Sequence, residues 1–275
     1  MSKLKANYHT HNQLCNHATG DSEAYVLKAI ELGMEEIGLS DHAPIPLFTC
    51  TAKDFKRNWS FRNMSYDVFE NVYLPEVNDV ISKYGDKIKI YKAVETEYNS
   101  KFYEYYKSLR DRLDYMLLGL HYFYNGDLCI NSYGDVTYEN IEYYAKCAEE
   151  ALDSGLFKIF AHPDVFMFKY KNINGERKFD EAAVKVSRRI IESAIKNNVY
   201  LELNCNGLFN SYKYGGTDWL YPYEDFWMIV KEYKDAKIII GADAHNPEHL
   251  DGKEVEEVIS FAKRLGLNVS EKIEL

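Results

Sequence analysis

The chain has 275 residues, 46% of them hydrophobic and 28% charged, a balance that excludes a disordered segment. No apolar run reaches the roughly 18 residues of a membrane span, so no membrane partner is expected. The formal net charge of −10 denies the chain the basic field of a non-specific nucleic-acid binder, and no nucleic-acid partner is expected.

The N-terminal Met1-Ser2-Lys3-Leu4-Lys5 has no signal-peptide core, so a cytoplasmic location is expected. It leads into a first strand over Lys3–Tyr8. Asp21-Ser22 offers a cap for a helix to about Leu32, with Gly33 placed to end it. A second strand is expected at Glu36–Leu39. From about Ala43 to Arg62 the chain carries Pro44, Pro46, Phe48, Phe55, Trp59 and Phe61 without clean periodicity, the composition of a long loop. A helix over Asn63–Lys83 precedes a third strand, Ile88–Val94. A helix over Lys101–Arg112 precedes a fourth, Tyr115–Leu120. Helix Tyr138–Asp153, strand Lys158–Phe160, helix Asp180–Asn197, strand Val199–Leu203, helix Tyr223–Tyr233, strand Lys237–Ile240 and helix Lys253–Leu265 complete the pattern. Strands alternating with helices imply parallel βαβ units. The simplest architecture is an α/β fold, a single-domain TIM-like (β/α)7 barrel over residues 1–275, and a doubly wound open sheet is the runner-up. The five cysteines are scattered and contain no CxxC. All five, including Cys15 and Cys205 near candidate site segments, are expected as free thiols.

Seven of the eight histidines fall at or just beyond a predicted strand's C-terminal end. His9 and His11 close the first strand and His17 lies in the loop after it. His42 follows the second, His121 the fourth, His162 the fifth and His245 the seventh. Glu95 and Glu97 end the third strand, and Asp243 stands two residues before His245. In a parallel barrel all strand C-termini open on one face, where active sites form. Side chains at i and i+2 of an extended segment share a face, so His9 with His11, and Asp243 with His245, can address one ion. A single strand-end histidine is more often structural than a ligand. The convergence of His9, His11, His17, His42, Glu95, His121, His162, Asp243 and His245 carries the inference. Imidazole with carboxylate suits zinc, manganese or iron, and a set this large predicts two or three divalent ions. His249, beyond the last strand, reads as a surface residue.

These residues resemble the polymerase-and-histidinol-phosphatase (PHP) superfamily. The resemblance rests on His9-Thr10-His11, His17, Ser40-Asp41-His42, the third-strand Glu, Gly119-Leu120-His121, Ala161-His162-Pro163 and Gly241-Ala242-Asp243-Ala244-His245. Asp41-His42-Ala43-Pro44, Phe61-Arg62-Asn63-Met64, Ala161-His162-Pro163-Asp164 and Leu201-Glu202-Leu203-Asn204 followed by Gly207 look like its histidinol-phosphate phosphatase branch. The resemblance implies a distorted seven-stranded barrel and a trinuclear site. His9, His11, Glu95 and Asp243 would hold one ion. Glu95 would bridge to a second held by His121 and His162. His17, His42 and His245 would hold a third. Glu95 is taken as the ligand and Glu97 as its support.

The implied activity is phosphoric monoester hydrolysis, as a histidinol-phosphatase of histidine biosynthesis. A metal-bridging hydroxide would attack phosphorus, Asp243 would take or steer its proton, and Asp41 or His245 would assist the leaving group. Arg62 is the expected phosphate ligand, with Arg57, Lys171 and Arg177 as alternatives. Asn204 and Asn206 could contact substrate or close the turn before Gly207. The expected partner is a small-molecule phosphate ester. The rivals are a PHP-type phosphodiesterase or nuclease, another small-molecule phosphatase, and a non-catalytic metal-binding subunit. Metal identity and oligomeric state stay open.

Overall fold

The computed structural model describes residues 4–46, 62–126, 128–214 and 219–275. All seven expected strands form: β1 (Ala6–Asn7), β2 (Glu36–Leu39), β3 (Lys89–Thr96), β4 (Tyr115–Gly119), β7 (Ile159–Ala161), β8 (Tyr200–Asn204) and β9 (Ile238–Gly241). Three more were not expected: the hairpin β5 (Tyr122–Asn125) and β6 (Leu128–Asn131), and a short β10 (Val269–Ser270). One parallel sheet runs β1-β2-β3-β4-β7-β8-β9-β10. Its strands follow in chain order with no reversal, which rules out the doubly wound alternative, whose order must switch.

The helices lie between the strands. α1 (Ser22–Leu32) starts where the Asp21 side chain accepts from Ala24 N–H and ends at Gly33 in the left-handed region. α2 (Tyr66–Val68) and α3 (Leu74–Tyr84) are joined by a π-helical turn over Phe69–Tyr73. α4 (Tyr103–Arg110), α5 (Ile141–Asp153), α6 (Glu181–Lys196), α8 (Glu224–Val230) and α9 (Lys253–Leu265) match the expected segments to within three residues at most boundaries. α7 (Asn206–Tyr214) was not expected: Asn206-Gly207 reads as a turn, but it opens a helix. Most of the Ala43–Arg62 loop lies outside the described residues, as do Arg57 and Cys50. Cys15, Cys147 and Cys205 are buried free thiols. Cys129 is disulfide-bonded, which corrects the expectation of five free cysteines. Scattered spacing in sequence says nothing about distance in space.

Strand alternation divides the barrel into layers. On β3 the inward positions run Tyr91, Ala93, Glu95; on β8 they run Tyr200, Glu202, Asn204. The lower positions join Tyr8, Tyr115, Leu117, Ile159 and Ile239 in an apolar plug. The upper positions carry the carboxylates. Val94, Leu118, Leu201, Leu203, Ile238 and Ile240 face outward into the helical shell.

The seam between β1 and β9 is closed in two halves. At the lower end β10 pairs with β9, Val269 opposite Ile238, and Ile273 N–H donates to the Tyr8 hydroxyl at 3.2 Å. At the upper end a single bridge joins Thr10 to Ala244, with His11 N–H donating to Ala244 O at 2.9 Å. Between them the buried Asn7 side chain takes the place of strand pairing. Its Oδ1 accepts from Ala242 N–H at 2.7 Å and its Nδ2 donates to His9 O at 3.0 Å. Asn7→Ala should therefore strand a buried amide and lower stability by about 1–3 kcal/mol. Thermal or urea unfolding measures it, and a change under about 0.5 kcal/mol would show that the seam does not depend on Asn7.

Candidate metal centre

The strand ends bring the expected residues to one point. Glu95 lies among five imidazoles. Its Oε1 is 3.0 Å from His162 Nε2 and 3.5 Å from His121 Nε2. Its Oε2 is 3.5 Å from both His9 Nε2 and His11 Nε2, and 3.2 Å from His42 Nδ1. Asp243 Oδ1 lies 3.0 Å from His11 Nε2 and 3.5 Å from His9 Nε2. His245 Nε2 faces His17 Nε2 at 3.1 Å. Among the described residues four groups of donor atoms lie close enough to share an ion: His9, His11 and Glu95; Glu95, His121 and His162; His11, His42 and His245; and, behind the cluster, His11, Cys15 and Asp41. All but the exposed His17 and the half-buried His245 are buried. His162 and Asp243 hold left-handed backbone, φ 36° and 48°, strain of the kind that persists where the surroundings over-determine it.

The rings are oriented from behind. His9 Nδ1 meets Glu202 at 2.8 Å, His121 Nδ1 meets Glu97 at 2.7 Å and His11 Nδ1 lies 3.3 Å from Asp41. His17 Nδ1 meets Cys15 O at 2.8 Å, and His245 Nδ1 meets Asp243 O at 3.0 Å. Each acceptor calls for the proton on Nδ1, which leaves the Nε2 lone pair facing the centre. His9 Nε2 and His11 Nε2 then oppose each other at 3.0 Å, and the buried Asp243 Oδ1 receives no hydrogen bond. Lone pairs crowded this way need a cation between them. The donor set therefore fits divalent metal ions, with nitrogen and carboxylate oxygen in the mixture zinc, manganese and iron accept.

With no ion between them, the same groups hold protons instead: although burial opposes it, Glu202 and Asp243 raise His9 well above its usual value, Asp243 and Asp41 raise His11 to about 9, and Glu95 and Glu97 raise His121. Burial acts to raise the Glu95 and Asp243 carboxyls, but His121 and His9 beside the first, and His9 and His11 beside the second, hold both well below the usual carboxylate range. Burial, reinforced by His11, pushes His245 down to about 3 and His42 well below its usual value. Both rings are neutral at pH 7, the form that ligates.

Above the cluster opens a cavity of about 600 Å³, whose wall includes Arg62, Lys169, Tyr133, Asp135, Asn206 and Phe209. Arg62, the expected phosphate ligand, lines this cavity. Lys169, unmarked in the sequence, is a second cation there. His249 also lines the cavity, its ring 5.6 Å from Phe209, so it is not a plain surface residue. Asn204 is not among the lining residues. Its amide is committed to Glu202, Asp243 and Gly207 N–H, whereas Asn206 reaches both the cavity and Asp243 Oδ2. Asp41 is buried behind His11 and accepts from His42 N–H at 2.8 Å, so it orients rings and does not face the cavity. Lys171 and Arg177 do not line the cavity; Arg177 donates to Met167 O and Leu220 O. Asp164 points away, holding Tyr223 N–H and Trp227 Nε1. Glu97 sits outside the cluster, tied to His121 and to Tyr122 N–H, while Glu95 sits inside it.

The glycine before His121 has a specific reason. A Cβ at Gly119 would overlap Glu95 Oε1 and His121 Cε1. Gly119→Ala removes no ligand, yet it should cut bound metal by about 10-fold or more, as disturbing the support of a metal site does. Elemental analysis of the purified variant decides it, and wild-type metal content would show that the carboxylate can move aside.

Residues 7–206 match the PHP domain family. The histidinol-phosphatase of Bacillus subtilis (strain 168) is 24% identical over 263 residues, 88% of this chain and 93% of that protein. A Deinococcus radiodurans protein named "Probable histidinol-phosphatase" is 25% identical over 166 residues, 57% of this chain. The chain spans 59% of that protein's length. A crystal structure of histidinol phosphate phosphatase from Lactococcus lactis subsp. lactis, complexed with zinc, L-histidinol and phosphate, shares the fold. It has a TM-score of 0.69 and 20% identity, and covers 99% of both chains. The family's pattern runs from β1 to the start of α7 and includes seven of the nine clustered donors, and the chain belongs to the PHP domain family.

Proposed function

We propose that this protein is a metal-dependent phosphomonoesterase, a histidinol-phosphatase acting in the cytoplasm, that cleaves L-histidinol phosphate to L-histidinol and phosphate. Residues 1–275 would act as one domain. The observation that carries the reading is the ring of imidazole nitrogens and two carboxylates at the floor of a cavity whose wall includes Arg62 and Lys169. The names of the relatives support the choice of substrate.

His9, His11, Glu95 and Asp243 would hold one ion, Glu95 with His121 and His162 a second, and His17, His42 and His245 a third. His11 also lies within reach of the third group. When bound, such ions bring the pKa of water towards neutrality and offset phosphate charge. The chain's own part is positional. Asp243 Oδ2 is pinned by Asn204 and Asn206, which leaves Oδ1 to steer the attacking water and take its proton. Arg62 offers planar paired donors to phosphate oxygens, and Lys169 adds a point charge. His245, neutral at the cavity wall, completes the floor. Asp41 acts through His11 and not on the leaving group. Asp135, the one cavity carboxylate outside the cluster among the described residues, suits a cationic leaving group. Among those residues no helix is long and apolar enough to cross a membrane.

Phosphate release from L-histidinol phosphate, an aryl monoester, a cyclic diester and short single-stranded DNA, with manganese or zinc present, tests the substrate. L-histidinol phosphate should show the highest kcat/KM. Turnover of DNA without turnover of L-histidinol phosphate would overturn the reading in favour of a nuclease. Asp243→Ala should lower kcat by about 100-fold or more, and both it and His9→Ala should carry less metal. Unchanged metal in both variants rejects the ligand assignment.

A further inference from the structure

Glu202 has no place in the donor set, yet it touches more of the site than any other supporting residue described. It is 1% exposed on β8. Its Oε1 lies 2.8 Å from His9 Nδ1. Its Oε2 accepts from His162 N–H at 3.2 Å and from Asn204 Nδ2 at 2.8 Å. Asn204 Nδ2 also donates to Asp243 Oδ2 at 3.1 Å. The amide cannot be reversed, because Asn204 Oδ1 accepts from Gly207 N–H at 3.0 Å. One carboxylate thus holds His9 directly and Asp243 through Asn204, both from the first donor group. It also holds the left-handed backbone of His162, from the second. Glu97, by contrast, reaches only His121 and Tyr122 N–H.

We propose that Glu202 is a positioning residue that supports both Glu95-sharing metal positions at once, so that disturbing it loosens the two ions jointly. Three donors converge on its two oxygens, and only an acceptor-only group satisfies them all. A glutamine can keep one side but must turn its NH₂ towards a donor on the other. Losing the His9 side frees a ring of the first position. Losing the other side releases His162 in the second and Asn204 behind Asp243. Room for this carboxylate is built in, because a Cβ at Gly241 would overlap Glu202 Oε1 and Cδ.

The inference rests on the metal-centre part of the proposed function and not on its substrate. The test therefore reads retained metal and not turnover, and a failure of L-histidinol phosphate as substrate leaves it intact. Zinc-loaded protein is dialysed against graded chelator, and zinc per chain is counted alongside far-UV circular dichroism. In Glu202→Gln the two positions should empty together, at chelator concentrations about 10–100-fold lower than for the native chain. Glu97→Gln should move a single step. Gly241→Ala, which keeps Glu202 but takes its space, should reproduce the joint shift and covers the case in which Glu202→Gln does not fold. A folded Glu202→Gln or Gly241→Ala with the native curve, or with only one step displaced, overturns the coupling.

Discussion

The structure turns on one constraint: ring nitrogens and carboxylate oxygens are packed into a buried space where they face each other. Such an arrangement costs several kcal/mol per uncompensated group unless a cation fills it. The rest of the upper barrel serves that arrangement. The acceptors behind His9, His11, His17, His121 and His245 fix the tautomers, and the glycines at 119 and 241 make room for the carboxylates. The left-handed bends at His162 and Asp243 turn two strand ends inward. Helix packing and the tyrosine plug below supply the rigidity that holds these groups in place.

The same strands do two jobs along their length. Inward positions begin as Tyr91 or Tyr200 and end as Glu95 or Asn204, so period-two geometry carries each strand from an apolar floor to a polar mouth. The floor has a polar device of its own. Glu36 accepts from the Tyr8 and Tyr91 hydroxyls at 2.7 and 3.1 Å. Those hydroxyls are thereby paired at the bottom of the barrel, well away from the cluster.

Much of this was legible in the sequence because the physics is local. Asp21 and Gly33 announce the ends of α1 through their own capping chemistry. Runs such as Lys237–Ile240 are strands by composition, and the histidines stand at their ends. What escaped is what depends on distant partners. Glu202 appears as a lone acid in an apolar strand, and only the fold shows three donors meeting it. The β5–β6 hairpin begins one residue after His121, with no break to separate it from β4. β10 is two residues long and exists because β9 offers it an edge. His249 and Lys169 carry no pattern of their own; the cavity recruits them. Asn204 sits on the predicted strand, but its amide is turned to the carboxylates and not to the cavity.

The barrel's seam and its reactive centre share the same hydrogen bonds. Where β1 meets β9, the joining groups are the backbones of His9, His11 and Ala244, flanked by Asp243 and His245. Asn7 and Ala242 are 235 positions apart, His17 and His245 are 228 apart, and each pair is in contact. An ion held jointly by the ends of β1 and β9 would work as a removable clasp on nearly the whole chain. It would close a loop whose entropy is among the largest this polypeptide can lose. Occupancy and foldedness would then be linked by mass action. Starving such a protein of metal would loosen the barrel along the line where its two ends meet, before any helix had reason to unwind.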